Sequence, residues 1–129
     1  PISRLVTNSV SCTSAFSQKA AAAAIQGPQD SVRMMLKEFK ERSKIVVNGF
    51  NDIKGISCIQ PKGAFYAFPN IKETGYKSQE LSDALLNQGV AVLPGTSFGK
   101  YGEGYLRISF ANSRENLLKA LNIIKEFLD

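Results

Sequence analysis

GYLRISFA, Gly104 to Ala111, alternates with the period of a β-strand. Successive strand side chains point to opposite faces, so Leu106, Ile108 and Phe110 share one face while Tyr105, Arg107, Ser109 and Ala111 share the other. An apolar face backed by a polar one belongs to a sheet that is covered on one side and open on the other. The open side carries a single guanidinium, that of Arg107. Taken alone, such an arginine is either a solvated cation or a group aimed at a ligand, and the strand does not decide between them.

Working outward, Asn112 with Glu115 resembles a capping box before a terminal helix whose Leu117, Leu118, Leu121, Ile124 and Leu128 form an apolar stripe. Upstream, the loop PGTSFGKYGEG follows the apolar strand VAVL, Val90 to Leu93, which follows a helix from Ser78 to Gln88 stopped by Gly89. ISCIQ and AFYAFPNI are β-rich and separated by Pro61-Lys62-Gly63, which predicts a hairpin. Asp30 to Ile53 keeps Val32, Met35, Leu36, Phe39, Val46, Phe50 and Ile53 at mostly helical spacing without an internal proline. One long helix closed by Gly55 is expected there, about twice the mean length of ~11 to 12 residues and suited to joining two bodies. SAFSQKAAAAAIQGP has helix start, body and stop signals, and its five alanines predict close packing against another element. Before it, the chain opens on Pro1 and a polar stretch with no expected element, the look of a piece of something longer. The order is therefore helix, long helix, hairpin, helix, strand, strand, helix: an α+β layer with a small, mostly antiparallel or mixed sheet and helices on one face.

Composition narrows the chemistry. With 129 residues, 43% hydrophobic and 21% charged, the chain can build one ordinary core. The net charge of +5 is spread among acids, as in KEFKERSK, which argues against nucleic acid. There is no histidine, and Cys12 and Cys58 lack ligand spacing, so neither a zinc site nor a histidine-based triad is available within the chain. Two scattered cysteines suit a reducing, cytoplasmic setting, and no apolar run approaches the ~20 residues of a membrane span.

Two motifs invite other readings. KGAFYAF, Lys62 to Phe68, is close to an RNA-recognition strand, but its register is off by one residue and no partner aromatic strand lies upstream. By alternation Phe65 lies opposite Tyr66 and takes a core position. The glycine-rich loop could cradle phosphate, yet it joins two strands and its GKY lacks the GK[ST] of a P-loop. A shaped connection beside a binding site is the better reading.

What these segments share is order: P-x-G-A-F-Y, then G-V-A-V-L-P-G-x-x-F-G, then G-x-G-Y-L-R-I-S-F-A, then an amphipathic helix. In that order and spacing the chain resembles, over nearly its whole length, the C-terminal part of fold-type I, class I/II pyridoxal-phosphate aminotransferases of the aspartate aminotransferase-like group. The resemblance implies that residues 1–29 end a large domain and that 30–129 form the small domain, including its long linking helix. It implies amino-group exchange between an amino acid and a 2-oxo acid, with pyridoxal 5'-phosphate as cofactor, in a cytoplasmic homodimer without nucleic-acid or membrane partners. It assigns Arg107 to the substrate α-carboxylate, and Phe65 to the wall of the substrate site. A planar guanidinium suits the first role, because it offers two parallel N–H donors to two oxygens.

The family forms its Schiff base through a lysine in a serine-rich S-x-x-K segment, followed by an arginine that holds the cofactor phosphate. No such segment occurs among these residues, and Lys62 and Lys100 have no matching context. The expectation is that catalytic lysine, cofactor-binding residues and the large domain of the same polypeptide lie upstream, and that this chain alone is inactive. A decarboxylase- or synthase-like enzyme on the same fold, or a non-enzymatic α+β binding module, stays open as an alternative.

Overall fold

The computed structural model describes residues 1–129 and divides into two units, Pro1–Met35 and Leu36–Asp129. In the first, α1 spans Ile2–Val10 and α2 spans Ala15–Gln26. α1 corrects the expectation of a polar stretch without structure. Ile2, Leu5, Val6 and Val10 recur at helical spacing, and the intervening hydroxyls bond back along the helix, Thr7 to the Ser3 carbonyl and Ser9 to the Leu5 carbonyl. α2 ends where the Gly27 N–H reaches the Ala23 carbonyl, and the Gln29 amide closes the turn on the Ala24 and Gly27 carbonyls. Its alanines are exposed along their whole run, so the expected close packing is not found.

α3 runs unbroken from Asp30 to Asn51, as its spacing predicts, and stops two residues short of Ile53. Its C-terminal half buries Ser43, Val46, Val47 and Phe50. α4, Ser78–Asn87, adds Leu81 and Leu85, and α5, Arg114–Leu128, adds Leu117, Leu121 and Ile124. Together they cover one face of a three-stranded sheet: β1, Tyr66–Ala67, β2, Leu93–Pro94, and β3, Leu106–Ser109, in the order β1-β3-β2 with both pairings antiparallel. Leu106, Ile108 and Phe110 sit in this core, and Arg107 and Ser109 point away from it, so the register read from GYLRISFA holds.

The strands are shorter than expected because side chains and the end of α4 take over their hydrogen bonds. ISCIQ does not pair along AFYAFPNI; one isolated bridge, Ser57 with Asn70, is all that forms of the predicted hairpin. The Asn51 side chain instead binds the Cys58 backbone, accepting from its N–H at 2.7 Å and donating to its carbonyl at 3.0 Å. The Gln60 amide then donates to the Ser43 hydroxyl, laying this segment along α3. VAVL is likewise cut to its last residue, since the Val90 N–H caps α4 at the Leu85 carbonyl and the Val92 carbonyl accepts from Ser82 Oγ. The cap of α5 falls one residue later than predicted: Ser113 Oγ accepts from the Asn116 N–H, while Asn112 Oδ1 accepts from the Ser113 N–H, so no Asn112–Glu115 box exists.

An ion-pair network ties α3 to α5. Arg114 donates through Nε and Nη2 to both oxygens of Glu38 at 3.0 and 2.6 Å, and Arg42 Nε donates to the same carboxylate at 2.9 Å. The Arg114 and Arg42 hydrogen bonds hold the Glu38 carboxyl at about 2, well below its ordinary 4.5. A pKa depressed in the folded state stabilises the fold above the unfolded value, and that contribution is lost as pH falls through the folded one. Glu38→Gln should therefore melt below the wild type at neutral pH, with the difference shrinking between 4.5 and about 2. Melting curves across that range check this; a difference that persists unchanged at the acid end would overturn it.

Candidate functional site

β3 delivers Arg107 to the open face, opposite Leu93 of β2. Its side chain has a long flexible stem, and two rings receive its head: the guanidinium carbon lies 5.1 Å from the centre of the Tyr66 ring and 4.3 Å from that of Phe98. The Phe98 ring meets Phe68 edge-on at 6.3 Å, and Phe68 stacks on Tyr105 at 5.3 Å with 17° between planes. Lys72 Nζ lies over the outer ring of this row, 5.1 Å from the centre of Tyr105. The open face of the sheet is thus a row of flat groups with a guanidinium inside it.

Charge sets Arg107 apart from the other arginines. Arg33, Arg42 and Arg114 are each paired with an aspartate or glutamate, and Arg4 is exposed. Arg107 alone is partly buried without an acid partner. A guanidinium carries five N–H donors, and one partly withdrawn from water against apolar rings is left able to accept an anion along its free edge.

The loop that brings Phe98 here is built from glycine. Gly95 and Gly102 are buried back to back, and a Cβ on either would run into the other's backbone. The Gly95 N–H donates to the Tyr105 carbonyl at 2.8 Å and the Gly102 N–H to the Gly99 carbonyl at 3.0 Å. Gly99 has φ 121°, a conformation closed to other residues without strain. The far end is pinned to α4: Ser78 Oγ accepts from the Gly104 N–H at 2.8 Å, and Glu103 Oε1 accepts from the Ser78 and Gly104 N–H groups at 2.9 and 3.0 Å. Those bonds, the Ser78 N–H first, hold the Glu103 carboxyl below the ordinary carboxylate range, so this acid is engaged in the loop.

Phe65, the other residue expected at the site, is not in the core. It is 53% exposed, and its ring meets Tyr66 edge-on at 5.8 Å. The reason is the turn before it: Ala64 takes φ 62°, which breaks the strand alternation, and pairing begins only at Tyr66. The Phe65 and Arg107 side chains are therefore both neighbours of Tyr66. Sequence reading missed Tyr66 and Phe98 as a pair. Tyr66 was legible as an open-face aromatic, whereas nothing in a loop's periodicity places Phe98 on Arg107. A separate cavity of about 450 Å³ between α3 and residues 60–64, with Phe110 in its wall, does not include Arg107.

Comparison with known proteins matches the chain and its fold. The model of the family "aminotransferase class I and II" covers residues 3–124. An aspartate aminotransferase of Pyrococcus horikoshii is 50% identical over 100 residues, which are 77% of this chain and 26% of that protein. The crystal structure of an aromatic aminotransferase from the same organism superposes with a TM-score of 0.89 at 39% identity, over 97% of this chain and 34% of that one. An aspartate aminotransferase structure from Rhizobium meliloti gives 0.87 at 34% identity, again over 97% and 34%. The chain spans about a quarter to a third of the length of these relatives. By the family match, the identities and the shared fold, this chain belongs to the class I and II aminotransferases.

Proposed function

We propose that this chain is the substrate-carboxylate clamp of a pyridoxal-phosphate-dependent aminotransferase that moves an amino group between an amino acid and a 2-oxo acid. The observation that carries the reading is Arg107: partly buried, set against two rings, and without an acid partner. In this role its N–H edge takes both oxygens of the α-carboxylate and fixes where the substrate Cα stands. Phe65, exposed beside Tyr66, supplies an apolar wall to the same substrate. Residues 30–129 act as the small domain, residues 1–29 end the large one, and the working form is a cytoplasmic homodimer.

The residues of this chain do not fit the cofactor itself. All eleven lysines are exposed, and the one S-x-x-K spacing, Ser97 to Lys100, lies in the glycine-built loop before β3 and not in a serine-rich run. Bound elsewhere in the protein, the cofactor supplies an electron sink for charge developing at Cα. Arg107 holds the substrate for that chemistry and does not carry it out.

The test compares the full-length protein with the 129-residue chain. The former, given pyridoxal phosphate, should transfer an amino group from an amino acid to a 2-oxo acid. The chain alone should not turn over, and borohydride should trap no cofactor at a specific lysine. Turnover by the isolated chain, or a full-length protein that only decarboxylates its amino acid, would reject the reading.

A further inference from the structure

We infer that Phe98 is a positioning residue for Arg107: its ring, held by the folded Gly95–Tyr105 loop, fixes the plane in which the guanidinium presents its N–H edge to a carboxylate. The inference rests on the reading of Arg107 as a carboxylate binder. No ion pair fixes this guanidinium within the chain, so the ring contacts orient it. Of the two, Phe98 is the closer, at 4.3 Å against 5.1 Å for Tyr66.

The ring is itself held. Phe68 backs it edge-on, and Phe68 is braced by its stack on Tyr105. The loop beneath is locked by the Gly95–Gly102 contact at one end and by Ser78 and Glu103 at the other. Phe98 is nevertheless 49% exposed, so the apolar core gains little from it. An aromatic held so firmly yet left half in water has its use at the guanidinium. Orientation matters because bidentate pairing is planar: a guanidinium free to rotate about its stem loses the alignment that lets two N–H groups reach one carboxylate together.

The experiment is calorimetric titration of the full-length protein with propionate, a carboxylate without an amino group, so that binding is read apart from turnover. Phe98→Ala should weaken propionate binding about three- to thirtyfold, the range of a cation–π contact from exposed to desolvated. Phe98→Tyr, which keeps the ring, should bind within about twofold of wild type, a rescue that a merely space-filling role would not require. If Phe98→Ala melts too early to titrate, Phe98→Leu decides: it keeps apolar bulk without a ring, so weak binding is expected and wild-type binding overturns the inference. Arg107→Lys is titrated in parallel. Weakened binding there with none in Phe98→Ala defeats the role of Phe98 alone, whereas unchanged binding in Arg107→Lys defeats the reading of Arg107 with it.

Discussion

Arg107→Lys is expected to lower kcat/KM for amino-group transfer by the full-length protein by about tenfold to a thousandfold while its melting temperature hardly moves. Lysine keeps the charge and loses the fork. A hydrogen bond to a charged group is worth ~1.5 to 3 kcal/mol, and each ~1.4 kcal/mol is a factor of ten in rate. Stability is spared because the side chain lies on the face opposite Leu106, Ile108 and Phe110, so shortening it opens no space in the core. What the fold does lose is the contact of a flat cation with Tyr66 and Phe98, a partly exposed one of modest worth. The check is steady-state kinetics beside a thermal melt of the same variant. Unchanged kinetics with a lowered melting temperature would make Arg107 a structural cation on a strand.

The parts of this molecule that could be read from the sequence are those governed by a period. The two faces of GYLRISFA, the apolar stripe of α5 and the unbroken α3 each follow from side chains recurring every two or every three to four residues, and each is where the pattern put it. The shortened strands and the displaced cap have a cause of another kind. Asn51, Ser82 and Ser113 are polar side chains that capture backbone groups, and the strand or cap expected at those groups is shortened or displaced. The Asn51 and Ser82 captures depend on tertiary approach, which no local pattern encodes, whereas Ser113 is a local cap that competed with its neighbour Asn112. The site divides in the same way. Arg107 was visible as an odd cation on an open face; Phe65 was named for the substrate wall by the family resemblance, while strand alternation alone gave it a core position that the turn at Ala64 denies it. Phe98 reaches Arg107 only because a loop folds on itself, and the signal for that was the spacing of Gly95, Gly99 and Gly102 rather than the phenylalanine.

Gly102→Ala should be the most damaging small substitution in that loop, costing about 3 to 5 kcal/mol and on the order of 10 °C in the melting temperature of the 129-residue chain. The new methyl would strike the Gly95 carbonyl group and come within 3.0 Å of the Thr96 nitrogen, all of it backbone that cannot rotate away. Relief requires the two short turns to part, which stretches the Gly95-to-Tyr105 and Tyr105-to-Gly102 hydrogen bonds at the entry to β3. Gly99→Ala separates this steric cause from a conformational one. Gly99 has the more unusual backbone, φ 121°, yet a Cβ there meets nothing within 4 Å, so its cost should be the ~1 to 3 kcal/mol of backbone strain alone. The two variants therefore rank in the order opposite to their dihedral angles. Parting the turns also carries Phe98 away from Arg107, so Gly102→Ala in the full-length protein should weaken carboxylate binding as Phe98→Ala does, at temperatures where the variant is still folded. Thermal melts of both variants give the ranking; a Gly102→Ala chain as stable as wild type, or less harmed than Gly99→Ala, would show that the loop does not depend on the contact between its two buried glycines.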